Sequence, residues 1–312
     1  MTGPRSQHVV SATDLLTPTS RATVVLDVRV DREGRPDPGA HHAGRIPGSR
    51  FVDLDRDLAG PPTPGGGARP LPHPADLTRS LRRWGVGRRT TVVVLDGTAS
   101  AAAARAWWVL RWAGLTDVRL LDGGLRAWVA AGGPLETGEE VTTIGAPLVD
   151  TPVGDHVIAV PGGLPTVDTG DVAVLAERGL LLDARPSVAY QGGEGSPGHI
   201  PGAVNAPVFD DLTPDGTLLP DDRLRCRYAA LGVGTGDQEW PVASYCGSGV
   251  AAALQVLHLA TLGVRAALYP GSLSQWTSDP ARLVVGACIT PRTDIDPTRT
   301  EWPWSATPTA AR

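Results

Sequence analysis

Lysine is missing from this sequence of 312 residues, and all 28 of its basic residues are arginine. Phenylalanine occurs twice and methionine once. This bias fits a GC-rich genome and implies no function. No apolar run approaches the roughly 18 residues that a membrane-crossing helix needs, so no membrane association is expected. Between Met1 and Asp14 no basic segment precedes an apolar core. No export signal is expected, therefore, and the cytoplasm is the expected location. A net charge of −5 argues against a surface dedicated to nucleic acid. The cysteines, Cys226, Cys246 and Cys288, are too few and too scattered for a disulfide framework or a zinc site. Asp122-Gly123-Gly124 reads as a turn, because the glycine spacing of a dinucleotide motif is absent. No metal, nucleotide or flavin cofactor is expected. What the chain does have is 41% hydrophobic residues, the content of a soluble globular protein, punctuated by 38 glycines and 29 prolines.

The chain repeats itself. Val24-Val25-Leu26-Asp27-Val28-Arg29 is matched by Leu180-Leu181-Leu182-Asp183-Ala184-Arg185, and Gly44-Arg45-Ile46-Pro47-Gly48 by Gly198-His199-Ile200-Pro201-Gly202. Val92 to Gly97 is matched by Val242 to Gly247, and Leu121 to Trp128 by Tyr269 to Trp276. Ordered matches at a slowly drifting spacing indicate a duplicated domain of about 120 residues, far too long a period for a solenoid. Each half alternates short apolar strands with helical runs. That pattern predicts an α/β fold in which a small parallel sheet is flanked by helices. Helices are expected from about Ser100 to Trp112 and from about Val250 to Leu262.

The segment that promises chemistry is Ser244-Tyr245-Cys246-Gly247-Ser248-Gly249-Val250. It sets one thiol at the carboxyl end of a predicted strand and at the mouth of a predicted helix. Ligands bind at such strand ends in parallel sheets. The unpaired N–H groups and dipole of a helix start favour negative charge there, and so favour a reactive thiolate. A buried structural cysteine is the alternative for Cys246. Cys226 and Cys288 read as inert.

These motifs together resemble the tandem-domain rhodanese-type sulfurtransferases over roughly residues 8–285. The Cys-Gly-Ser-Gly-Val loop at 246–250 is most similar to the 3-mercaptopyruvate sulfurtransferase branch; thiosulfate-preferring members usually place basic residues after the cysteine. The resemblance implies two rhodanese-like domains: a non-catalytic one at 8–134, a linker at 135–166, and a catalytic one at 167–285, followed by a tail at 286–312. It implies that Cys246 takes sulfur from a small-molecule donor, becomes a persulfide, and passes the sulfur to a thiol, such as that of a thioredoxin-like protein, or to cyanide. Backbone N–H groups of Gly247, Ser248, Gly249, Val250, Ala251 and Ala252 would hold the persulfide's charge. Asp96 stands where the first copy would carry its cysteine.

The chain departs from the family pattern at the donor site. Ala189 occupies the place of one usual substrate arginine, and the short loop from Gln191 to Pro197 lacks the other. Ala251 replaces a threonine. A histidine usually supported by an aspartate is replaced as well. Asp55 matches the aspartate, Arg69 stands at the histidine's place, and His73 lies near enough to substitute. Arg185 reads either as a structural ion-pair arginine or as a substrate ligand. His199 is expected to stabilise a turn, and His41-His42 to lie on a solvated loop. The nine tryptophans are expected in cores or at a domain interface. The competing function is a degenerate module that relays sulfur or binds a partner without turning over the usual donors. A phosphatase of the cysteine-loop type is excluded, since residues 247–252 contain no arginine to grip phosphate.

Overall fold

The computed structural model describes residues 3–18, 21–97, 99–139, 157–234 and 241–286. The tail beyond 286 and residues 140–156 of the expected linker lie outside the described residues. The chain divides into two compact units. One comprises Met1–Pro62, Arg69–Leu164 and Phe209–Leu219; the other comprises Thr63–Ala68, Pro165–Val208 and Pro220–Arg312. Residues 157–164, part of the expected linker, thus belong to the first unit. There the Val160 and Gly163 N–H groups donate to the carbonyls of Ala113 and Trp112.

The first unit holds strands β1 (Val9–Val10), β2 (Thr23–Asp27), β3 (Arg50–Phe51), β4 (Thr91–Leu95) and β5 (Val118–Leu121). Its helices are α1 (Ala12–Leu16), α2 (Pro38–Ala43), α3 (Pro74–Arg83), α4 (Ala101–Trp112) and α5 (Gly124–Ala130). The sheet order is β1-β5-β4-β2-β3, parallel throughout. Every residue of β4 is buried, as its unbroken β-branched run Thr-Val-Val-Val requires of a central strand. Val93 and Leu95 join Ala12, Leu121 and Trp128 in one core cluster, and α4 packs on β4 and β5.

The second unit repeats this plan with β6 (Leu180–Asp183), β7 (Val204–Asn205), β8 (Val242–Tyr245) and β9 (Ala266–Leu268), in the order β7-β6-β8-β9. A parallel bridge from Thr166 to Leu268 stands where β1 pairs β5 in the first unit. The helices are α6 (Thr169–Arg178), α7 (Ser187–Tyr190), α8 (Asp221–Ala230), α9 (Ala251–Thr261) and α10 (Ser272–Trp276). The duplication extends to single hydrogen bonds. Val28 N–H donates to Leu95 O as Ala184 N–H does to Tyr245 O. Trp128 and Trp276 each donate Nε1–H to a carbonyl just beyond their helices, of Pro134 and Leu283.

The burial of one histidine predicts that the first unit loses stability in acid. His8 meets Trp107 edge to face at 5.5 Å, and its Nδ1 is buried without a hydrogen-bond partner. Burial, followed by the nearby Arg111 charge, pushes its pKa down to about 4 from 6.5. Between those values the unfolded chain binds the proton and the folded chain does not, so stability falls as pH drops from about 6.5 towards 4. His8→Phe should flatten that part of the curve, measured as urea midpoints at pH 7 and pH 5. An unchanged difference between the two midpoints would remove His8 from the acid response.

Candidate active site

Cys246 follows directly on β8, whose four residues are all buried, and is itself only 3% exposed. The chain then turns through Gly249 at φ +77°, a left-handed conformation that glycine adopts without a Cβ penalty. This turn brings the Gly249 N–H to 3.1 Å from Cys246 Sγ. Helix α9 starts at Ala251, and no side chain caps it at Val250. Its first-turn N–H groups therefore leave the positive end of the helix facing the loop. Gly247 is exposed, Ser248, Val250 and Ala251 are half-buried, and Gly249 and Ala252 are buried.

The loop is held from its other side by the start of α10. Ser272 Oγ accepts from the Cys246 N–H at 3.2 Å. Leu273 N–H donates to the Cys246 carbonyl at 3.0 Å, and Ser274 N–H to that of Gly247 at 3.0 Å. Residues 63–68, part of the same unit, reach this helix too. Ala68 N–H donates to Ser274 Oγ, and Gln275 Nε2 to Gly65 O, each at 2.9 Å. Sequence reasoning missed both Ser272 and this segment. The Pro-Gly-Ser motif marked the position of Ser272 but not its partner, and nothing in the local sequence of 63–68 points 200 residues along the chain.

Beneath the loop lies a buried ion pair. Arg185 Nε and Nη2 donate to the Asp183 carboxylate at 2.9 and 2.5 Å. Nη1 donates to Ser196 Oγ and Nη2 also to Gly198 O. These bonds engage the Arg185 side chain in the ion pair. Its first-unit counterpart Arg29 binds Asp27 and the carbonyls of Ala40 and Gly44. Tyr245, the residue before the cysteine, accepts from Ile200 N–H. Burial first, and then the Asp183 carboxylate, hold its phenol protonated far above its usual range.

In the first unit Arg69 Nε donates to Asp55 at 2.7 Å, so the guanidinium and not His73 meets this carboxylate. His73 Nδ1 instead accepts from Ala75 N–H and caps α3. The solvated loop expected for His41-His42 is corrected. Both residues lie in α2, and His41 is fully buried, with Nδ1 donating to Asp27 at 2.9 Å. The buried carboxylate supplies the polar partner that makes such burial affordable. His199 stacks on Tyr190 at 3.7 Å and donates Nδ1–H to its carbonyl, and burial lowers its pKa.

The first copy shows what the loop geometry attracts. Asp96 stands at the position of Cys246. Its Oδ1 accepts from Ser100 N–H at 3.0 Å and its Oδ2 from Ala103 N–H at 3.3 Å. The strand-end loop and helix start thus gather N–H groups around a negative charge, and in this copy the charge is the protein's own carboxylate.

A doubly repeated parallel α/β unit with a single thiol in such a loop defines a tandem rhodanese. The family model described as "Rhodanese-like domain" matches residues 11–131 and 168–279, and the chain belongs to this family, among the tandem-domain rhodanese-type sulfurtransferases. It is 38% identical over 289 residues to a Mycobacterium tuberculosis protein named as a thiosulfate sulfurtransferase, SseB, covering 90% of this chain and 97% of that one. It is 41% identical over 273 residues to a Pseudomonas aeruginosa protein named as a 3-mercaptopyruvate sulfurtransferase, covering 84% and 91%. The crystal structure of the Escherichia coli 3-mercaptopyruvate sulfurtransferase SseA superposes with a TM-score of 0.68 at 30% identity, covering 85% of this chain and 98% of that one.

Proposed function

We propose that the protein transfers sulfane sulfur through a persulfide on Cys246, with 3-mercaptopyruvate favoured over thiosulfate as donor. The Cys246 thiolate attacks the donor's sulfur and its carbon–sulfur bond breaks. The electron pair leaves on carbon, which takes up the former thiol proton to give pyruvate. The product on the enzyme is Cys246–S–S⁻, and an acceptor thiolate or cyanide then removes the outer sulfur. The observation that carries this reading is the Gly249 N–H directed at Sγ, at the open start of α9. The preference between donors rests on charge. Thiosulfate brings a dianion and expels sulfite, whereas Gly247, Ser248, Gly249, Val250, Ala251 and Ala252 offer no cationic side chain. Ser248 supplies a hydroxyl for donor binding or proton relay.

Intact mass after incubation with 3-mercaptopyruvate, thiosulfate or a protein persulfide tests the reading. A gain of about 32 Da, the mass of one sulfur atom, is expected with 3-mercaptopyruvate. No gain with any donor would end it. The absence of arginine at Ala189 and in 191–197 favours a second reading, a relay module loaded only by a protein persulfide. Loading by the protein donor alone would select it. The resemblance gives Asp55 a supporting part in turnover, and we propose that Arg69, which stands in the place of the usual histidine, shares it. Arg69→Ala should lower kcat/KM with 3-mercaptopyruvate about tenfold. Stability should change by less than about 1 kcal/mol, since the Asp55 partner is half exposed. An unchanged kcat/KM would remove the pair from turnover.

A further inference from the structure

We infer that Ser272 is a positioning residue for the nucleophile: its hydroxyl fixes the Cys246 main chain so that Sγ meets the loop N–H groups. The inference rests on the reading of Cys246 as the sulfur-bearing residue. Ser272 is fully buried and sits at φ +51°, in the left-handed region that a residue with a Cβ seldom adopts. Its Oγ donates to Tyr269 O at 2.9 Å and accepts from Cys246 N–H at 3.2 Å. The hydroxyl therefore links the end of β9 to the residue after β8.

The duplicated unit supplies the comparison. Gly124 matches Ser272 in the repeat and has nearly the same backbone, at φ +57°. Leu125 N–H donates to Asp96 O just as Leu273 N–H does to Cys246 O. A Cβ on Gly124 would approach Asp96 O to 2.6 Å. Where the loop residue is a carboxylate tethered by Ser100 and Ala103 N–H, glycine suffices. Where it is a thiol with no such double tether, the position carries a strained serine whose side chain takes the nucleophile's N–H. Backbone strain of this kind persists only where the surroundings impose it, and it concentrates at functional sites. Because the Cys246 N–H is occupied by Ser272, the persulfide's charge falls to the other N–H groups of the loop.

Ser272→Gly and Ser272→Ala separate the hydroxyl from the backbone. Glycine relieves the left-handed strain and alanine retains it, while both remove the hydroxyl. If the hydroxyl positions Cys246, both variants lose kcat with 3-mercaptopyruvate by about tenfold or more at unchanged KM, because misplacement affects the reacting atoms and not the bound donor. A Ser272→Gly protein with wild-type kcat would overturn the inference. Amide exchange at Cys246 gives a readout independent of turnover: slow in the wild type and at least about tenfold faster in folded Ser272→Gly. Exchange that does not change would overturn the inference as well. A wild-type protein that accepts sulfur from no donor would instead sink the persulfide reading, and the exchange result would still judge Ser272.

Discussion

Cys246→Ser is expected to abolish both persulfide formation and sulfur transfer, lowering kcat by at least about a thousandfold as loss of a nucleophile does. Serine replaces sulfur by oxygen with little change in volume, and Cys246 sits among its own backbone partners. Its N–H bonds to Ser272 and its carbonyl to Leu273 N–H. Neither bond depends on the thiol, so the fold should persist, and the thermal midpoint should confirm it. The mass gain of about 32 Da expected of the wild type after donor treatment should then be absent. A gain that survives in the variant would move the site to Cys226, which is exposed on α8, or to Cys288, which lies outside the described residues. Activity that survives without any mass gain would mean transfer without a covalent enzyme intermediate. The alternative of a purely structural cysteine predicts the opposite pattern: loss of stability with sulfur loading retained elsewhere.

Asp183→Ala is expected to be the most destabilising single change near the site, costing about 3–5 kcal/mol, as breaking a buried ion pair does. Asp183 is fully buried, and its carboxylate accepts from the Arg185 backbone N–H as well as from Nε and Nη2. Its removal leaves a guanidinium, 9% exposed, facing the space a carboxylate filled. It also removes the charge that helps keep Tyr245 neutral next to Cys246. Urea unfolding should show the loss in a transition of the second unit. Asp183→Leu combined with Arg185→Met should recover much of it, because the cost arises from the unpaired charge and not from the absence of a salt bridge. A loss under about 1 kcal/mol in Asp183→Ala would show that water or rearrangement reaches Arg185, and that the pair is not buried in solution.

The same two positions show how far the sequence could be read. Asp183 and Arg185 stood out because Asp27 and Arg29 repeat them, and the repeat placed them at a strand end. That Arg185 is engaged by Asp183, Ser196 and Gly198 became visible only with coordinates. His41 misled for a related reason. Two adjacent histidines beside glycine and proline look solvated, and the buried Asp27 that accepts from His41 lies 14 residues earlier. The segment 63–68, rich in glycine and proline, reads as a featureless loop. Its bonds to Ser274 and Gln275 link positions more than 200 residues apart.

By itself the sequence determined the duplication, the parallel α/β class, the placement of β8 and α9, and the position of Cys246 between them. Those properties follow from hydrophobic period, glycine placement and motif order, which are local or repeat along the chain. Tertiary structure decided the rest: that Gly249 N–H points at Sγ, that Asp96 fills the matching loop of the first copy with its own carboxylate, that Arg69 meets Asp55, and that Ser272 holds the Cys246 N–H. Hydrogen bonds act over about 3 Å, and which distant groups come that close depends on how the strands and helices pack. The chain's order alone does not contain that information in readable form.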